Sequence, residues 1–132
     1  MQKYYLSSEI NDYLNEELLR DIDLVKDVIN LYKDDYEDIP SLNIKINVLP
    51  TDIEKLEEIF NLLIDYENRS DSLIAFNYLD AVKIYNVWKN HLILVTNQRS
   101  LICACETLGL KYTSIDSFID KIREVCYDLV AS

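Results

Sequence analysis

The stretch HLILVTNQRSLICACETLGLKYTSIDSFIDKIREVCYDLV, residues 91–130, decides the fold class. Its first segment, HLILVT, is apolar on successive rather than alternate residues, which is the pattern of a central parallel strand covered on both faces. RSLICACETLG then reads as a helix closed by Gly109, the only glycine in the chain, at a position suited to a C-cap. LKYTSI reads as a short strand, and DSFIDKIREVCYDLV as a last helix capped by Asp116 or Ser117. Strands that alternate with helices of this length predict a parallel sheet flanked by helices.

Working outward, LNIKINVLP (residues 42–50) alternates Leu42, Ile44, Ile46 and Val48 with Asn43, Lys45 and Asn47, a period of two ended by proline. It predicts a half-exposed strand near a sheet edge. TDIEKLEEIFNLLIDYEN (51–68) opens with Thr51 or Asp52 as cap and sets Ile53, Leu56, Ile59, Phe60, Leu63 and Ile64 on one helical face. Residues 69–72 read as a loop, and SLIAFNYLDAVKIYNVWKN (72–90) as an apolar helix or helix pair containing Asp80. At the start, KYYL (3–6) predicts a short strand feeding a helix capped by Ser8. Ile10, Tyr13, Leu14 and Leu18 recur at helical spacing, the pattern breaks at residues 20–23, and a second helical phase runs from Leu24 through Tyr36 toward Ile39. A short strand at residues 20–24 is the alternative. The expected architecture is a single domain over residues 1–132, three-layer α/β/α, with a central parallel sheet of four or five strands.

Composition narrows the function. No apolar run approaches the roughly 20 residues that span a bilayer, and the first residues carry acids where a signal peptide has its apolar stretch. A cytoplasmic protein is expected. Against 13 bases stand 24 acids, and the net charge of −11 opposes a broad grip on phosphate backbones. A single glycine cannot build a Walker loop or the dinucleotide fingerprint. The one histidine, His91, has no nucleophile motif around it, and zinc spacing is absent. Cys103, Cys105 and Cys126 read as reduced thiols in or near the core.

Carboxylate chemistry remains. Sites in parallel sheets form at the carboxyl ends of strands, here Ser7, Ser8 and Glu9, then Thr96, Asn97 and Gln98, then Thr113 to Asp116. Asp80 is a separate signal, an acid inside YLDAVKIY. Buried bare it would cost several kcal/mol, so it is expected to be paired, to start a helix, or to face a cleft.

The block NYLDAVKIYNVWKNHLILVTNQRSLICACETLGLKYTSIDSFI (77–119) resembles the C-terminal half of PIN domains: a helix beginning Asp-Ala, a strand ending Thr-Asn-Asp, a helix, a Leu-Gly, a short strand and a final helix. IKINVLPTDIEKLEEIF and YYLSSEI extend the resemblance toward the start. Much of that family is metal-dependent ribonuclease, including VapC-type toxins. The resemblance implies acids from separated segments holding Mg²⁺ or Mn²⁺, which activate water and neutralise the phosphate under attack. By position, the family's acids fall on Ser7, Asp27, Asp80 and Gln98, with Thr96 and Asn97 matching its strand end. Ser7 and Gln98 are neutral; Glu9 is the acid available to compensate.

Two readings follow. One is an active endoribonuclease using Asp80, Asp27 and Glu9 on RNA. The other is a PIN-like module that has lost catalysis and serves as a binding or regulatory protein, as a homo-oligomer or beside an antitoxin-like or complex-forming protein partner. The second draws on the neutral positions and on ten tyrosines, a residue type enriched at interfaces. An unrelated α/β interaction domain is the third alternative.

Overall fold

In the computed structural model of the chain, residues 2–46, 50–69 and 74–131 are described. Five strands, β1 (Gln2–Tyr5), β2 (Ile29–Lys33), β3 (Lys45–Ile46), β4 (Ile93–Val95) and β5 (Tyr112–Thr113), form one sheet in the order β3-β2-β1-β4-β5. Every pairing is parallel. Among the described residues five α-helices flank the sheet: α1 (Glu16–Leu24), α2 (Ile53–Arg69), α3 (Tyr78–Asn90), α4 (Arg99–Leu108) and, after the last strand, α5 (Ile115–Ala131).

The pleat divides the core into two. Successive strand residues point to opposite faces, so Tyr5, Leu92 and Leu94 join α2, α3 and α4 on one side, while Tyr4, Leu6 and Val95 join α1 and α5 on the other. This is the expected three-layer α/β/α arrangement. HLILVT is apolar throughout because both of its faces are covered: Leu92, Leu94, Val95 and Thr96 are all buried.

Helix boundaries follow local chemistry. Asp52 caps α2 by accepting from the Lys55 amide at 3.0 Å. Asn15 caps α1 by accepting from the Leu18 amide at 2.8 Å. For α5 the capping hydroxyl belongs to Ser114, which accepts from the Ser117 amide at 3.1 Å, rather than to Asp116 or Ser117. Gly109 ends α4 at φ 68°, the left-handed conformation expected of it. A Cβ there would meet nothing within 4 Å. Gly109→Ala should therefore cost only the conformational penalty, about 1 kcal/mol, read as a small fall in melting temperature.

Three expectations about the first half are corrected. Leu24 to Ile39 is not a helix: residues 29–33 form β2, with Ile29 and Leu31 in one core and Tyr32 in the other. Helix α1 runs through residues 20–23 without a break. After β1 comes a 3-10 turn over Ser8–Tyr13 whose cap is Ser7, not Ser8. The alternating strand is described only at Lys45–Ile46, and residues 47–49 lie outside the described ones. So do residues 70–72 of the expected loop and residues 72 and 73 of the SLIAF segment, while residues 74–77, expected to be helical, are non-helical chain that leads into α3 at Tyr78, where Asn77 is the cap.

The cysteines are free thiols. Burial, with Glu106 nearby, pushes the Cys105 thiol up to about 12, so it is an inert core residue rather than a nucleophile.

Candidate functional site at the carboxyl edge of the sheet

Strand order reverses between β1 and β4, because the chain builds outward from β1 through β2 to β3 and then from β4 to β5. A crevice at the carboxyl ends of such a pair is where open α/β sheets place ligands. Ser7 stands just past β1, buried, and its hydroxyl donates to Glu9 Oε1 at 3.2 Å. The other Glu9 oxygen accepts from the Asn97 amide at 3.4 Å. The 3-10 turn thus folds Glu9 back over the switch point, bringing together Ser7, Glu9 and Asn97.

The Thr-Asn turn after β4 is held by its own side chains. Thr96 is buried, and its hydroxyl accepts from the Gln98 amide at 3.0 Å. Asn97 Oδ1 accepts from the Ile115 amide at 3.0 Å, and its Nδ2 donates to the Tyr13 hydroxyl at 3.1 Å, so it ties the β4–α4 turn to α5 and to the 3-10 turn. Gln98 is the exposed N-cap residue of α4 and makes no side-chain cap bond.

Asp80 resolves into one of the three forms expected of it, a helix start. Its carboxylate accepts from the Asn77 amide at 3.0 Å while Asn77 Oδ1 accepts from the Asp80 amide at 2.9 Å, a reciprocal capping box. A negative charge in the first turn is favourable there.

Asp27 is not part of this constellation. It is exposed in the turn that precedes β2. Because β1 and β2 run parallel with Gln2 beside Ile29 and Tyr5 beside Tyr32, Asp27 sits at the amino end of the sheet. With strands rising about 3.3 Å per residue, it is more than about 15 Å from the carboxyl edge. The acids that the second segment delivers to that edge are Asp34 and Glu37, which follow β2.

Glu37 pairs with Lys83 Nζ at 2.6 Å, and the two side chains are only 11% and 9% exposed. Its other oxygen accepts from the Ser8 amide at 3.0 Å. Burial pushes the Glu37 carboxyl up, but the hydrogen bonds from Lys83 and Ser8 outweigh it and hold the group below the ordinary carboxylate value. Lys83 lies one turn after Asp80 on the same face of α3. One turn further, Asn86 Nδ2 donates to the Tyr5 hydroxyl at 3.1 Å, and Tyr5 donates to Asp34 Oδ2 at 2.6 Å. Asp34 Oδ1 accepts from the Tyr36 amide at 2.8 Å. Burial, and then the Asp34 charge, push the Tyr5 hydroxyl well above its ordinary value, so it stays a proton donor. Lys33 Nζ closes the segment onto the carbonyls of Asp34 and Glu37.

Each of these carboxylates is therefore already engaged: Glu9 by Ser7 and Asn97, Asp34 by Tyr5 and Tyr36, Glu37 by Lys83 and Ser8, Asp80 by Asn77. Among the described residues, no three His, Cys, Asp or Glu side chains come together as a set that could hold a metal. Mg²⁺ keeps much of its water and is usually held by one or two carboxylates together with a substrate phosphate. Beside Glu37 the positive charge is supplied by a lysine ammonium. His91, the one histidine, is the exposed left-handed C-cap of α3 at φ 53°.

No helix among the described residues is long and apolar enough to cross a membrane. No protein-family profile matches the sequence, and no curated protein matches it. Among solved structures the chain is similar to PAE2754 from Pyrobaculum aerophilum, with a TM-score of 0.58 at 11% identity over 94% of this chain and 96% of that one. At that identity the likeness carries the fold alone, and it extends over nearly the whole of both chains.

Proposed function

We propose that the chain is a PIN-like module whose carboxyl-edge site has lost metal-dependent phosphodiester chemistry, and that it acts in the cytoplasm as a binding or regulatory protein. The observation that carries this reading is the buried Lys83–Glu37 pair. An ammonium bonded to one of the edge carboxylates neutralises the charge that a divalent cation would otherwise need to find there. Asp80, the acid that the PIN resemblance singles out, has a sufficient structural role as a capping-box residue. The net charge of −11 adds to the argument, since an RNA backbone would approach against it.

The opposing reading, an Mg²⁺- or Mn²⁺-dependent endoribonuclease of the VapC type, draws its support from Glu9, which folds back to Ser7 and Asn97 at the strand switch. A thermal-shift titration with Mg²⁺ and Mn²⁺, run beside an RNA cleavage assay, separates the two. The expected result is no cleavage, with a melting temperature that rises no more in the wild type than in Asp80→Asn. Metal-dependent cleavage of RNA that Asp80→Asn abolishes would overturn the proposal in favour of the nuclease.

A further inference from the structure

Away from the carboxyl edge, α1 and the chain after β2 border a groove of about 600 Å³. Helix α1 is nine residues long, about 14 Å at 1.5 Å per residue, and among the described residues the groove opens between it, β2 and residues 41–44. Leu19, Leu31, Leu42 and Ile44, which line the groove, are consequently only half-buried. The rim is polar: Asp23, Lys26 and Asp27 stand along it. Lys26 faces Asp23 at 3.6 Å, so the rim's balance of charge is set by the exposed Asp27. The same side is bordered by α1, which carries Glu16, Glu17, Asp21 and Asp23 against a single Arg20.

We infer that this groove docks a cationic amphipathic segment of a partner protein. Apolar side chains on one face of the segment would cover the four half-buried aliphatics, and Lys or Arg on its margins would meet the acidic rim. A groove of this volume falls within the range of binding clefts, and an apolar floor with a polar border suits an amphipathic segment. Charge decides between occupants. A second copy of this chain would bring another −11 onto an acidic border and be repelled, whereas a basic segment is attracted over a distance. The groove reaches Asp27 at the amino end of β2, so the inference stands whether or not the carboxyl-edge site is catalytic.

The test uses the full chain and three labelled peptides followed by fluorescence anisotropy: a Leu/Lys amphipathic helix, a scrambled peptide of the same composition, and a Leu/Glu amphipathic helix. The Leu/Lys helix is expected to bind at least about tenfold more tightly than the scrambled peptide, and the Leu/Glu helix not to bind. Backbone amide shifts of the wild-type chain should concentrate on residues 19–31 and 41–44, a measurement that needs no variant to fold. Asp27→Lys should weaken binding about tenfold, while Glu57→Lys, an equal change of charge on α2 in the other layer, should leave it within about twofold. Equal binding of the scrambled peptide, equal effects of the two Lys substitutions, or shifts lying elsewhere would overturn the inference. So would self-association in sedimentation that protects the same amides, since the occupant would then be a second copy.

Discussion

Lys83→Met is expected to remove about 3–5 kcal/mol of stability at neutral pH, because it leaves the Glu37 carboxylate buried without its counter-charge. The pair is 2.6 Å apart with both side chains about nine-tenths covered, so water cannot replace the lost partner. The Ser8 amide remains as a donor to Glu37 and limits the damage. Acid should narrow the gap. In the wild type the Glu37 pKa is lowered on folding, so its contribution is fully present above the unfolded value of about 4.5 and is lost as pH falls through the lower folded value. In Lys83→Met the same carboxyl has lost the group that lowered it, and protonation relieves the buried charge. Urea titrations at neutral pH and at pH near 4 read both effects. Glu37→Gln with Lys83→Met should recover most of the loss, since replacing a buried pair by neutral groups of similar size is often tolerated. A pH-independent loss, or a double variant no better than the single one, would show that the pair does not act as a charge pair.

That outcome bears on what the pair is for. A buried ion pair contributes little net stability compared with an apolar filling of the same space, so its value here is positional. Lys83 comes from α3, and Glu37 from the segment after β2. With Lys33, Tyr5 and Ser8 they pin that segment beside the carboxyl edge, each through a bond to a specific backbone or carboxylate atom. An edge built in this way has its acids engaged, which is the ground for the binding role proposed above.

The second half of the chain was legible because its signals agree. HLILVT is apolar on successive residues and Gly109 sits where a left-handed cap is needed; the start of α3 was less legible, because the apolar run from residue 72 reads as helix while the Asn77–Asp80 capping box begins the helix only at Tyr78. The first half was not legible because VKDVINLYKDDY satisfies two periods at once. Val25, Val28 and Ile29 with Tyr32 match a helical stripe, while Ile29, Leu31 and Tyr32 match a strand with both faces covered. Pairing with β1 and β3 decides for the strand, and no local propensity contains that information. Misplacing β2 carried a cost at the site. With a helix over residues 24–36, Asp27 was the natural acid to assign, whereas a strand ending at Lys33 delivers Asp34 and Glu37 to the carboxyl edge. Lys83 was equally hidden, since a lysine within an apolar helix reads as a solvated side chain until its partner is known.

Phe118→Ala provides the second large effect, expected at about 3–5 kcal/mol with little dependence on pH. Phe118 has no exposure and packs edge-on against Tyr4, with ring centroids 5.0 Å apart and planes at 68°. It lies in the first turns of α5, where Ile115 and Ile122 share its face and enter the same core as Leu6 and Val95. Removing the ring deletes apolar contact and leaves a cavity that a helix clamped by neighbouring buried residues can only partly close. The aromatic pair with Tyr4 is lost as well. No charge is uncovered, so the loss measured by urea titration should be the same at neutral pH and near pH 4, unlike that of Lys83→Met. Lys83 comes from α3, whose apolar side chains join the core on the sheet face opposite that of Phe118, and the two effects should add when combined. Marked non-additivity would mean that the sheet transmits strain between its faces, coupling the carboxyl-edge network to the α5 layer.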